Sequence, residues 1–402
     1  MRKPKSRFES FRGNINSRIK TMEILQYTDA HHDFRKRIRN FFEKEITPYV
    51  EQWEKDHIVP KEAWRKMGRA GFLCTWAAPD YGGMNGDFLY SVIACEEMTK
   101  TNHAGLAAML HSDIIVPYIN SFGTAEQKKT YIPGCITGDI ITAVAMTEPD
   151  AGSDLVSMQA TAEIDGDEIV INGSKTFISN GINSHLVIVA AINPKVEDPY
   201  QAVSLYLVEE GTPGFKRGRH LDKMGMHSQD TAELFFSDCR IPKTNILGEP
   251  GMGFVMLMEK LQQERLMVAI SAQSAAEEIL EKAVAFSKSY KDAAGKPLSK
   301  NQAIQFAIVE MMTEVKVTRV FLDKLIASHA AGENVVIETS MAKYRTTDLV
   351  NKIASQCLEF FDEFGLAEAW PLARAVRDVR IMSIFAGTNE VMKMIAAKLM
   401  GL

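Results

Sequence analysis

The apolar pattern of this chain changes period twice. Up to about Thr137 apolar residues recur at helical spacing, as in Phe34, Ile38, Phe41, Phe42, Ile46 and Val50, then Trp64, Met67, Ala70 and Phe72. Near Ile140 this gives way to short β-favouring runs: Ile140–Met146, Met158–Ile164, Glu168–Asn172, Leu186–Ile192, Val203–Val208 and Glu233–Cys239. Asp165-Gly166 between two of them is a hairpin signal. After Gly248-Glu249-Pro250-Gly251 the helical period returns over Phe254–Tyr290, Asn301–Ala330 and Val335–Phe364, with a last helix from about Thr388. The double switch predicts an α+β chain. A middle β domain (140–252) separates an N-terminal helical domain (22–139) from a C-terminal one (253–402), whose long helices on short connections predict an antiparallel bundle.

At 402 residues the chain is too long for one small core. A net charge of −5 leaves no basic excess to neutralise phosphates, which argues against nucleic acid as the main partner. No apolar run approaches the roughly 20 residues that a membrane span needs. Cys74, Cys95, Cys135, Cys239 and Cys357 form no metal-spaced cluster and read as free buried thiols in a reducing compartment, the bacterial cytoplasm. Residues 1–21 differ from the rest: seven Arg and Lys face the single acid Glu9, without an apolar core. Three readings fit, an organelle transit peptide that would place the protein in the mitochondrial matrix, a flexible basic arm, or an over-extended start before Met22. The last is favoured, because Met22 leads directly into a helical pattern.

Leu257, Leu261, Glu264 and Val268 fall at i, i+4, i+7 and i+11, so a lone carboxylate interrupts an apolar helical stripe. A carboxylate in such surroundings has a raised pKa and suits a general base; it equally suits a packed ion pair with Arg265. Ala145-Met-Thr-Glu-Pro-Asp-Ala-Gly-Ser-Asp154 ends the first β run. Its small residues, hydroxyls and free backbone N–H groups suit a flavin edge or a phosphate, or else a plain turn capped by Asp154. Ile171-Asn-Gly-Ser-Lys-Thr-Phe-Ile-Ser-Asn-Gly181 sets an aromatic and a hydroxyl on one strand. His103 and His111 have no second ligand at metal spacing and read as packing or capping residues.

These motifs resemble those of the acyl-CoA dehydrogenase family. Thr-Glu-Pro-x-Ala-Gly-Ser-Asp is similar to its first signature and Asn-Gly-Ser-Lys-x-Phe-Ile-Ser-Asn-Gly to its second strand motif. Asp378-Val-Arg380 through Gly387-Thr388-Asn389-Glu390 resembles its C-terminal segment, and the likeness spans everything but the leader. The resemblance implies a helical domain, a small β-barrel domain and a four-helix bundle. It further implies FAD as cofactor, an acyl-CoA substrate, an electron-transferring flavoprotein as acceptor, and a homotetramer or a heterotetramer with a paralogous subunit. By resemblance, Met146, Thr147 and Ser153 contact FAD, Phe177 and Ser179 lie beside the isoalloxazine with Ser179 near N5, and Thr388 and Asn389 add to the cofactor site from the bundle. Ser153, Arg265 and Gly387 would touch the substrate.

Most of the family carries its catalytic glutamate just before the Gly-Thr of the last segment, where this chain has Ala386. The long-chain and isovaleryl branches carry it on the first bundle helix, before an arginine, and that position is Glu264-Arg265. The resemblance therefore implies that Glu264 takes the α-proton of a thioester whose β-hydride leaves to flavin N5. Two departures concern residues that complete the FAD site of a neighbouring subunit. The family's Arg-x-x-Phe becomes Lys291 and Ala294, and its Gln-x-x-Gly-Gly becomes Glu359, Asp362 and Glu363. Carboxylates there would repel a pyrophosphate, and lysine lacks the bidentate fork of arginine. These changes leave open a flavin-poor partner subunit of a heteromer, with a structural or acyl-CoA-binding role, beside the dehydrogenase reading. A flavin oxidase or monooxygenase on the same scaffold is disfavoured by Glu264.

Overall fold

The computed structural model describes residues 24–292, 294–365 and 371–402, without the side chains of 361–365 and 371. The basic leader, Met22, and the side chains of Asp362 and Glu363 lie outside the described residues. The N-terminal part holds α1 (Asp29–Phe41), α2 (Val50–Asp56), α3 (Lys61–Arg69), α4 (Phe88–Thr99), α5 (Val116–Phe122) and α6 (Ala125–Thr137). Thr28 and Thr124 close capping boxes at the starts of α1 and α6, satisfying amides that a helix start leaves free. Before α5 the chain makes a turn of π-helix over Leu110–Ile115, one of the wide turns that recur at functional sites.

The middle part holds β1 (Thr142–Ala145), β2 (Thr161–Asp165), β3 (Glu168–Ser179), β4 (Leu186–Ile192), the short α7 (Pro199–Ala202), β5 (Val203–Glu209), β6 (Phe215–His220), β7 (Thr231–Pro242) and β8 (Ile246–Leu247). They form one sheet of order β6-β7-β3-β2-β4-β5-β8, with β1 parallel to β4. The expected small barrel is thus an open one, with β6 and β8 at the ends of the path. The hairpin at Asp165-Gly166 joins β2 to β3, and Gly166 takes the left-handed conformation that a tight turn demands.

The last part is α8 (Gly253–Ser289), α9 (Gln302–Ala330), α10 (Val336–Gly365), α11 (Pro371–Val379) and α12 (Asn389–Leu399). Helix α8 belongs to three cores in turn. Met256 and Leu257 join the cluster of α5, α6 and the inner face of β4 and β5. Leu266, Met267 and Ile270 pack with α4 and α9, and Ala272 to Ala283 with α10 and α11. Glu264 falls where the helix passes from the first core to the second. Among the described residues no helix is long and apolar enough to cross a membrane, and all five cysteines are free and buried.

Candidate active site

The residues singled out by sequence gather into two groups. The first is built on β1 and β3. The strand pairing of β3 with β7 slips by one residue between Lys175 and Ile178, and Phe177 adopts φ 57° at this bulge. A bulge re-aims a side chain, and this one leaves Phe177 68% exposed. A bulky aromatic that is both left-handed and open to water is doubly unfavourable, and a planar ligand laid against it would cover it. Ser179 follows at the end of the same strand. The turn after β1 is fastened beside the bulge, since the Thr176 amide donates to the Thr147 carbonyl at 2.9 Å.

Lys175 is the buried fastener of this group. Its Nζ donates to the Met146 carbonyl at 3.0 Å and to Glu148 Oε1 at 2.7 Å, while Glu148 accepts from the amides of Gln159 and Ala160. Burial lowers the Lys175 pKa, and Glu148 opposes that shift. Met146 and Thr147 are thereby held between strands, and Ser153 stands exposed further round the loop. Asp154 does cap the following turn, accepting from Val156 N and Ser157 Oγ, so the capping reading holds for that residue while the hydroxyls stay free of it.

The second group surrounds Glu264. Its Oε2 is sealed from solvent and has no hydrogen-bond partner among the described residues. Burial pushes its pKa up to about 7, against the opposing charges of Arg265 and Lys343. The hydroxyl of Tyr118 is likewise sealed and unpartnered, and its pKa is raised by burial and by the nearby Glu264. Arg265 turns away from a pairing hydrogen bond with Glu264, and its Nε donates to the Ala386 carbonyl at 3.3 Å. Ala386 and Gly387 are both left-handed, at φ 56° and 90°, and a Cβ on Gly387 would lie 2.8 Å from Met392 Cε. Lys343 Nζ holds the Gly387 carbonyl at 2.7 Å. Two cations thus pin two consecutive carbonyls of the turn that leads into α12.

Thr388 caps α12 by accepting from Val391 N. Asn389 is 3% exposed, and its amide is engaged by Lys343, Thr347 and Asp348. It anchors the start of α12 within the bundle through these three partners. Lys343 and Tyr118 were not anticipated. Lys343 carried a readable signal, for Thr339, Ala342, Lys343, Thr346 and Val350 recur on one buried helical face, the same charge-in-stripe pattern as Glu264. The two groups meet through the N-terminal domain. Asn180 donates to the Thr142 carbonyl, Thr142 bonds His111, and Gln263 donates to the Asp113 carbonyl in the adjoining π-helical turn.

Three acyl-CoA dehydrogenase domain profiles match in this order, the N-terminal over residues 28–139, the middle over 143–239 and the C-terminal over 251–401. The chain therefore belongs to the acyl-CoA dehydrogenase family, whose members are FAD-dependent oxidoreductases. It is 42% identical to the mitochondrial long-chain specific acyl-CoA dehydrogenase of Rattus norvegicus, over 92% of this chain and 86% of that protein. An acyl-CoA dehydrogenase of Bacillus subtilis is 33% identical over 90% of this chain and 96% of its own. The solved acyl-CoA dehydrogenase of Geobacillus kaustophilus superposes with a TM-score of 0.92 at 47% identity, covering 94% of this chain and 99% of that one.

Proposed function

We propose that this chain is an FAD-dependent dehydrogenase that introduces an α,β double bond into an acyl-CoA thioester, with Glu264 as the base. The observation that carries the reading is the sealed, unpartnered Oε2 of Glu264 beside the pinned 386–388 turn. A carboxylate with a pKa near 7 is half ionised at neutral pH, where a base is most effective against a weak carbon acid. Glu264 takes the proton from Cα. Arg265 and Lys343 hold the turn still through its carbonyls, so the thioester meets fixed backbone dipoles. Bound FAD supplies the acceptor for the hydride from Cβ. Phe177 and Ser179 would hold its ring, and Met146, Thr147 and Ser153 its edge, a fit supported by the exposed, left-handed Phe177.

Electrons would pass on to an electron-transferring flavoprotein. Lys291, Ala294 and Glu359 are exposed, as residues directed at a neighbouring subunit's FAD would be. A tetramer completed by a paralogous subunit with intact phosphate-binding residues accommodates these departures better than a self-paired one. The decisive experiment is flavin bleaching under anaerobic conditions by a panel of acyl-CoAs, on the chain alone and co-expressed with a neighbouring dehydrogenase-like gene. Bleaching should appear, with a rate that rises with pH through about 7 as Glu264 ionises. Flavin-loaded protein that no acyl-CoA bleaches would sink the reading; full FAD occupancy of the chain alone would remove the mixed tetramer.

Phe177 gives a separate check on the flavin site. Phe177→Asn keeps a residue that tolerates the left-handed bulge and removes the ring. Without flavin the variant should be as stable as the parent or up to about 1 kcal/mol more so, while FAD affinity falls by about tenfold. Unchanged affinity in a flavin titration would show that the ring does not meet the cofactor.

A further inference from the structure

Helix α5 lies along the stretch of α8 that carries the base. Just before α5, the Asp113 carbonyl accepts from Gln263 Nε2 at 2.6 Å, and at its far end the Phe122 ring sits 5.1 Å from Lys260 Nζ. Between these two contacts comes Tyr118, fully buried and packed in one core with Met256 and Leu257. Leu257, Leu261 and Glu264 share one face of α8, so the phenol belongs to the core whose apolar stripe the base interrupts. The Tyr118 hydroxyl is sealed and has no hydrogen-bond partner among the described residues, and the same holds for Glu264 Oε2. Glu264 as a whole keeps some access to solvent, so Oε2 is its inner oxygen. The charged groups that act on this pair are Arg265 and Glu259 on α8 and Lys343 on α10. Both cations direct hydrogens to the turn, at the Ala386 and Gly387 carbonyls, and neither bonds Glu264 among the described residues. A buried donor and a buried acceptor are thus left side by side on two helices, each supplying what the other lacks.

We propose that Tyr118 is a positioning residue for the base: as Glu264 ionises, its carboxylate turns the inner oxygen onto the Tyr118 hydroxyl, which donates to it, and the other oxygen is left to take the α-proton. The inference rests on the acyl-CoA reading above and adds to it the group that keeps the base ionisable. Burial already pushes the Glu264 carboxyl up to about 7, and an acyl chain that expels water disfavours the charged form further. A donor on the inner oxygen favours the charged form and offsets that push. The phenol itself stays protonated, because burial and the neighbouring Glu264 both raise its pKa. Its ring is held by packing, with the Phe122 ring 6.3 Å away, so the flexible glutamate side chain makes the movement.

The test follows anaerobic flavin bleaching by an acyl-CoA across neutral and alkaline pH, in the flavin-loaded parent and in Tyr118→Phe. With the donor gone, the midpoint of the rise with pH should move up by about one unit. The rate near neutrality should fall about fivefold, and the two proteins should meet again at high pH, where Glu264 is ionised in both. A packing role alone would change stability or binding and leave the midpoint in place. Infrared difference spectra against Glu264→Gln read the carboxyl directly. Taken with a bound acyl-CoA that has sulfur in place of Cβ, and so has no hydride to lose, they should show the same displacement. Tyr118→3-fluorotyrosine keeps the shape of the ring and makes a stronger donor, so it should move the midpoint down; it decides the matter if the phenylalanine variant does not fold. A midpoint that stays put in a folded variant overturns the assignment. If no acyl-CoA bleaches the flavin-loaded parent, the acyl-CoA reading fails and takes this inference with it, a result distinct from bleaching whose midpoint ignores Tyr118.

Discussion

Glu264→Gln should slow flavin bleaching by acyl-CoA by a factor of about 100 to 10,000, the range that a positioned general base ordinarily supplies. Glutamine has nearly the same shape, so assembly and FAD content should be unchanged. The same substitution carries a stability signature of predictable sign. The folded pKa of about 7 lies above the ordinary 4.5, so the carboxyl favours the fold while protonated. That contribution is complete below pH 4.5 and is lost as pH rises through about 7. The glutamine variant, which never ionises, should therefore be more stable than the parent at pH 8, and the advantage should shrink as pH falls toward 4.5. Denaturant unfolding at the two pH values reads this out. A variant that still bleaches at the parental rate would return Glu264 to a packing role, and an advantage that grows on acidification would contradict the raised pKa.

Lys175→Met should be the most damaging change in the β domain. It leaves Glu148 charged in a buried place with only amide partners, and breaking a buried pair from one side costs about 3–5 kcal/mol. The loop that presents Met146 and Thr147 would also lose its anchor, so FAD should dissociate more readily. Adding Glu148→Gln removes the stranded charge and should recover part of the stability without restoring the loop. Urea unfolding and flavin retention on dilution separate the two effects. A loss under about 1 kcal/mol in the single variant would mean that the backbone bond from Thr176 to Thr147 holds the loop by itself.

The elements most visible in sequence were those whose side chains have one period and one neighbourhood. Leu186–Ile192 was legible to the residue because it is an unbroken buried run, and α8 to α10 were legible because their stripes are long. Strand β6, Phe-Lys-Arg-Gly-Arg-His, was invisible because it sits at the end of the sheet with no alternation of apolar residues. Strand β3 was cut short at Asn172-Gly173, which reads as a turn; the glycine instead lies within the strand at φ 139°, where its missing side chain admits Ala160. The same division holds for the site. Glu264 stood out as a charge in an apolar stripe, and Lys343 had the same mark. The bulge at Phe177 depends on strand register, which no local pattern of residue types announces.

The placement of the proposed base in mid-helix separates two kinds of variation. In a turn such as 386–388, every change of packing moves the backbone from which a catalytic group would hang. Glu264 hangs instead from a ladder of i to i−4 hydrogen bonds within a 37-residue helix embedded in three cores, and its backbone is over-determined. The side chain at 386 is then released from carrying the base, and the 386–388 turn is left with the single task of presenting its backbone.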